Sequence, residues 1–102
     1  MNERMSSIAF AVASLLSGTV AAQAYTGQEL ANRAKISIAE ARAIALKVHP
    51  GKITDEELER ERGGSGLRYS FDIKRGSVTQ EVGVDARTGR VLENRKEGPH
   101  PD

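Results

Sequence analysis

Residues Leu67 to Leu92 read LRYSFDIKRGSVTQEVGVDARTGRVL. Leu67, Tyr69, Phe71 and Ile73 alternate with Arg68, Ser70, Asp72 and Lys74, the period of two that marks a strand with one buried face. Arg75-Gly76-Ser77 interrupts the run, and Val78, Val82 and Val84 resume it on one parity. Two alternating runs joined by a short glycine turn predict a β-hairpin. Asp85 to Arg90 predicts a second turn, with Asp85 bonding amides ahead of it, Thr88 within it and Gly89 at the left-handed position. Val91-Leu92 predicts a final short strand. The apolar parity of Leu67, Tyr69, Phe71, Ile73, Val78, Val82 and Val84 is the face that the rest of the chain must cover.

The cover lies upstream. Ser37-Ile38-Ala39-Glu40 has the spacing of a capping box, and Ile36 stands where a hydrophobic staple would. Ile38, Ala41, Ile44, Ala45 and Val48 recur at helical spacing and form one apolar stripe. Pro50 cannot continue a helix and disfavours helical geometry at His49, so the helix is expected over Ile38 to Val48. Thr26 to Glu29 has the same box spacing and predicts a short helix to about Ala34. Lys52 to Arg62 (KITDEELERER) is ambiguous. Thr54 and Glu57 make a formal capping box and Glu56 and Arg60 have helical pair spacing, yet Leu58 is the only large apolar residue after Ile53. Gly63-Gly64-Ser65-Gly66 predicts a flexible connector.

The chain has 102 residues, enough for one domain. Its 15 Lys and Arg against 14 Asp and Glu give a net charge of +1, too little field to favour nucleic acid or anionic lipid. It contains no cysteine, which excludes disulfides, thiolate zinc sites, a cysteine nucleophile and a lipoprotein-type anchor. Met1 to Ala24 reads as a secretory signal peptide. Arg4 and the amino group precede the uncharged Ile8–Leu16 run, and Ala22 and Ala24 supply the small residues that a signal peptidase admits. The cut is expected between Ala24 and Tyr25, with cleavage after Ala22 as the alternative. A membrane anchor or buried helix is the other reading of this stretch, but the run falls far short of the roughly 20 residues that cross a bilayer. The mature chain is expected in the periplasm or secreted.

The order of these features resembles the PepSY domain, a small module of peptidase propeptides and of many secreted bacterial proteins. The resemblance rests on Ile36-Ser37-Ile38-Ala39-Glu40-Ala41, Pro50-Gly51-Lys52-Ile53, Leu67-Arg68-Tyr69-Ser70-Phe71 and Val84 to Leu92. It implies an α+β fold, one main helix on a three- to four-stranded antiparallel sheet. It also implies that Lys52 to Glu61 is a strand, against its local propensity. The expected organisation is a signal peptide (1–24), a short helical lead-in (25–35), a PepSY-like domain (36–93) and a disordered tail (94–102).

No catalytic constellation is visible. His49 and His100 are the only histidines, too few and too far apart for a metal site. His49 fits a helix C-terminus. Asp72 and Asp85 could be imagined as an acid–base pair, but one belongs to a polar strand face and the other to a turn. The glycine run lacks the Lys-Ser/Thr and helix start of a phosphate loop. Arg60, Arg62, Arg68, Lys74 and Arg75 are interleaved with Glu57, Glu59, Glu61 and Asp72, as on a mixed solvated face. The resemblance implies a non-enzymatic module, without cofactor, that binds a protein partner: a peptidase or another exported protein. An exposed edge strand can pair with an extended partner segment, and Lys52, Thr54, Glu56, Leu58 and Arg60 are the candidate edge. Asp85, Thr88 and Gly89 are expected to be structural. The alternative is an envelope sensor that binds a cation or small ligand through Asp55-Glu56-Glu57.

Overall fold

The computed structural model describes residues 24–98. Residues 1–23 of the predicted signal peptide and the end of the predicted tail fall outside the described residues. Those described form a 3-10 helix (Gln28–Arg33), helix α1 (Ile38–Val48) and strands β1 (Lys52–Arg60), β2 (Leu67–Arg75), β3 (Val78–Asp85) and β4 (Val91–Lys96). The four strands make one antiparallel sheet in the order β1-β2-β3-β4. Helix α1 packs on one side of it.

The alternating parity decides which side. Leu67, Tyr69, Phe71 and Ile73 of β2 and Val82 and Val84 of β3 are buried together with Ala41 and Ala45 of α1. The small alanines let the helix approach the sheet closely. Ile38 and Ile44 are half-buried against this core, and Leu46 joins them. Val48, expected in the stripe, is 42% exposed, because the chain turns away at His49 to enter β1. Val78 is only half-buried at the hairpin tip. The tip is a two-residue turn in which Gly76 has φ of 65° and Ser77 does not take the left-handed region, the II′ geometry whose twist suits adjoining strands. Tyr69 and Phe71 stack with ring centroids 6.4 Å apart. The Tyr69 hydroxyl donates to the Ile36 carbonyl at 2.8 Å, which fixes the approach to α1.

Lys52–Arg60 is a strand, as the resemblance implied. Leu58, 2% exposed, lies opposite Tyr69 in the core, and this burial outweighs the local helical preference. Ile53 also faces the helix side, opposite Ile73. Five positions separate Ile53 from Leu58, which in a regular strand would put them on opposite faces. A register shift between Ile53 and Asp55 inserts one extra residue, Thr54, and restores them to one face.

Three expectations are corrected. The Ser37–Glu40 capping box forms, with the Glu40 amide donating to Ser37 Oγ at 3.0 Å and the Ser37 amide donating to Glu40 Oε1 at 2.8 Å. The Thr26–Glu29 box does not form. Thr26 is drawn instead into a parallel bridge with Glu57, where its carbonyl accepts the Leu58 amide at 2.8 Å. Gly27 then starts the 3-10 helix at φ of 86°, and a Cβ there would run into the Leu58 carbonyl. Residues 94–97, expected in the tail, belong to the sheet instead: β4 continues through Lys96, opposite Gln80, and the Glu97 amide donates to the Thr79 carbonyl. The Gly63–Gly66 connector is not a loose linker. The Ser65 amide and hydroxyl donate to Asp85 at 2.6 and 2.8 Å, and Arg87 donates to the Ser65 carbonyl at 3.0 Å.

Candidate functional site

The candidate edge on β1 divides into covered and uncovered positions. Lys52, Thr54 and Arg60 are exposed. Thr54 donates from its hydroxyl to the Asp72 carbonyl at 3.3 Å. Glu56 points to the helix side, where both its oxygens accept from Arg42 of α1 at 2.8 Å. Leu58 is a core residue, and its outward amide is taken by Thr26. The Tyr25–Thr26 segment therefore covers the middle of the edge. A shallow cleft of about 310 Å³ remains beside it, between Tyr25 and Thr26 on one side and Ile53, Thr54, Asp55 and Glu56 on the other.

The strand also splits the acidic run. Glu56 faces the helix, while Asp55 and Glu57 face the opposite side of the sheet, opposite Asp72 and Ser70. That side carries Asp55, Glu57 and Glu59 from β1, Asp72 from β2, Glu81 from β3 and Glu93 from β4, placed there by the register. Arg68 lies among them, 8% exposed, donating to Glu93 at 3.2 Å and to the Arg62 carbonyl at 3.0 Å. Arg95 pairs with Glu93 and, at 3.7 Å, with Glu81. Ser70 donates to Glu59 at 2.8 Å. No described helix covers this face. Its carboxylates exceed its guanidinium groups, and Lys52 and Lys74 stand only at its hairpin end.

Crowding changes how these acids titrate. Partial burial, followed by a hydrogen bond to Glu59 and the charges of Glu59, Asp55 and Asp72, pushes Glu57 up to about 7. Burial raises Asp72 as well, helped by the charges of Glu97 and Asp55. Burial and the charges of Glu93 and Asp72 raise Glu81, and Arg95 opposes them. A carboxyl raised in the folded state binds more protons there than in the unfolded chain between the two pKa values. Its contribution is therefore present below the unfolded value and lost as pH rises through the folded one. Between pH 7 and about 4.5, acidification is expected to stabilise the domain, and Glu57→Gln is expected to flatten that slope. Urea midpoints at stepped pH measure it, and an unchanged slope in the variant would assign the effect elsewhere.

The Asp85 turn is architecture. Asp85 is 1% exposed and accepts from Ser65 twice, from the Arg87 amide at 2.8 Å and from the Thr88 amide at 3.1 Å. Burial alone would raise its carboxyl, but these donors outweigh it and hold it at about 2. The Gly89 amide returns to the Asp85 carbonyl at 2.9 Å, with Gly89 at φ of 79°, and Thr88 Oγ1 accepts the Arg90 amide at 3.2 Å. His49 caps the end of α1 through its amide, which donates to Ala45. Among the described residues no three His, Cys, Asp or Glu side chains are grouped to hold a metal ion, and no helix is long and apolar enough to cross a membrane.

The carboxylate face was present in the sequence as the off-parity positions of four strands. Its unity was hidden, since β1 alternates correctly only once the Thr54 bulge is counted. No curated protein and no solved structure matches the chain. The family model described as peptidase propeptide and YPEB domain matches residues 35–95, the span from the α1 cap to β4. With this match over more than half its length, and a helix on an antiparallel sheet built from those residues, the chain belongs to the PepSY family.

Proposed function

We propose that the chain is an exported, non-catalytic module that binds and restrains a peptidase. The observation that carries this reading is the family match across residues 35–95, to a domain of peptidase propeptides. The one-sided fold is consistent with it. A core on the helix side stabilises the sheet, and the polar side is left free for a partner, with half-desolvated carboxylates that would favour a basic surface. The Asp85 turn and α1 act as the frame that holds the strands in register.

Titrating the purified chain against peptidases of its own compartment tests the proposal. The expected result is slowed hydrolysis with a stable complex on size-exclusion chromatography. Unchanged hydrolysis together with no complex would overturn it.

A further inference from the structure

The two edges of the sheet are not equivalent. The β1 edge is occupied at Leu58 by Thr26 and broken by the Thr54 bulge. No described segment pairs with the outer side of β4. The direction of its backbone groups follows from one bond. The Glu97 amide donates to Thr79 on β3, so by alternation the amides of Arg95 and Glu93 also point to β3. Those of Asn94 and Lys96 point away from the sheet. The side chains of Glu93 and Arg95 lie on the carboxylate face, and Asn94 lies on the helix side, where its Oδ1 accepts from Gln80 at 2.6 Å.

Glu93-Asn94-Arg95 is its own complement when reversed. We propose that β4 pairs antiparallel with β4 of a second copy about a two-fold axis through Asn94, joining two four-stranded sheets into one of eight. Asn94 then faces Asn94 of the copy as a hydrogen-bonded pair, using both outward backbone groups. Each Glu93 faces an Arg95 in the adjoining non-hydrogen-bonded positions, where side chains stand closest. The neighbouring two-fold registers also use outward groups but place Glu93 on Glu93 or Arg95 on Arg95. Charge therefore selects the register through Asn94. The Arg95 side chain is 71% exposed and would exchange its pairs with its own Glu93 and Glu81 for one across the axis. On the helix side the Gln80–Asn94 amide pairs of the two copies line up as one polar row. This pairing is isologous and closed, so it stops at a dimer. It leaves the β1 side of each copy available and does not depend on the peptidase reading.

Sedimentation equilibrium on the purified chain is the test. Wild type is expected to show a reversible monomer–dimer equilibrium. Asn94→Pro removes the outward amide without touching the β3 ladder, and is expected to weaken the dimer on the order of a hundredfold, with the circular dichroism spectrum unchanged. Arg95→Glu sets like charges opposite one another and is expected to weaken it about tenfold. Combining Glu93→Arg with Arg95→Glu restores opposite charges across the axis and is expected to recover the dimer. A chain that stays monomeric at millimolar concentration would overturn the proposal. So would a dimer that survives both Asn94→Pro and Arg95→Glu, or a monomer that instead takes up an added extended peptide on β4.

Discussion

Asp85→Ala is expected to destabilise the domain by on the order of 3–4 kcal/mol at neutral pH, one of the two largest effects of any single substitution. The carboxylate is buried and gathers Ser65, Arg87 and Thr88 at once. Its loss leaves the Gly63–Gly66 loop without its anchor and the β3–β4 connection without its centre. Hydrogen bonds to a charged acceptor are the stronger kind, though their losses do not add. The pH dependence identifies the mechanism. Asp85 is held below its ordinary value of 3.8, at about 2, so its contribution is present above 3.8 and lost as pH falls from there through 2. Wild type is expected to lose stability over that window and the variant, having no such group, to lose less. Urea denaturation at neutral pH and near pH 3 measures both. Equal stability of the two proteins at neutral pH would show that the turn closes without its carboxylate.

Phe71→Ala is expected to cost about 3–5 kcal/mol. Phe71 is wholly buried at the centre of β2, stacked on Tyr69 and opposite Val82. The α1 residues fully buried in the same core are Ala41 and Ala45, which cannot expand into the space vacated. A domain of this size without a disulfide is expected near the low end of the usual 5–15 kcal/mol range, so the variant is expected to be largely unfolded at 25 °C. Circular dichroism and a urea midpoint decide it. A midpoint within a fraction of the wild-type value would mean that α1 settles into the cavity.

The hairpin and the helix were legible in the sequence because their patterns are regular. Leu67 to Ile73 keep parity without interruption, and Ser37 with Glu40 specify a helix start that local chemistry alone completes. The first strand was legible only through the family resemblance. Its two apolar residues, Ile53 and Leu58, sit an odd number of positions apart, and a bulge cannot be read from spacing alone. The Thr26–Glu29 box misled because the same threonine had a competing partner. Its carbonyl could join the β1 edge, a contact between residues distant in sequence that no local rule anticipates. The length of β4 escaped for a related reason. Asn94, Arg95 and Lys96 carry no apolar signal, and their strand is held by the ladder to β3 and by Arg95 against Glu81 and Glu93. The carboxylate face needed the register of all four strands before it became one surface.

The Tyr25–Thr26 segment has a consequence for motion. It is fastened to β1 through one backbone bond and through Tyr25, which is half-buried against the core, while the strands are tied to one another along their whole lengths. Segments fastened so lightly detach in sub-global openings that cost far less than complete unfolding. The Leu58 amide is then a native-state reporter, since it is protected only while the segment is docked. Each opening frees the Leu58 amide and leaves the outward side of β1 continuous from Glu56 to Arg60, so that this small domain alternates between a partly covered β1 edge and an open one.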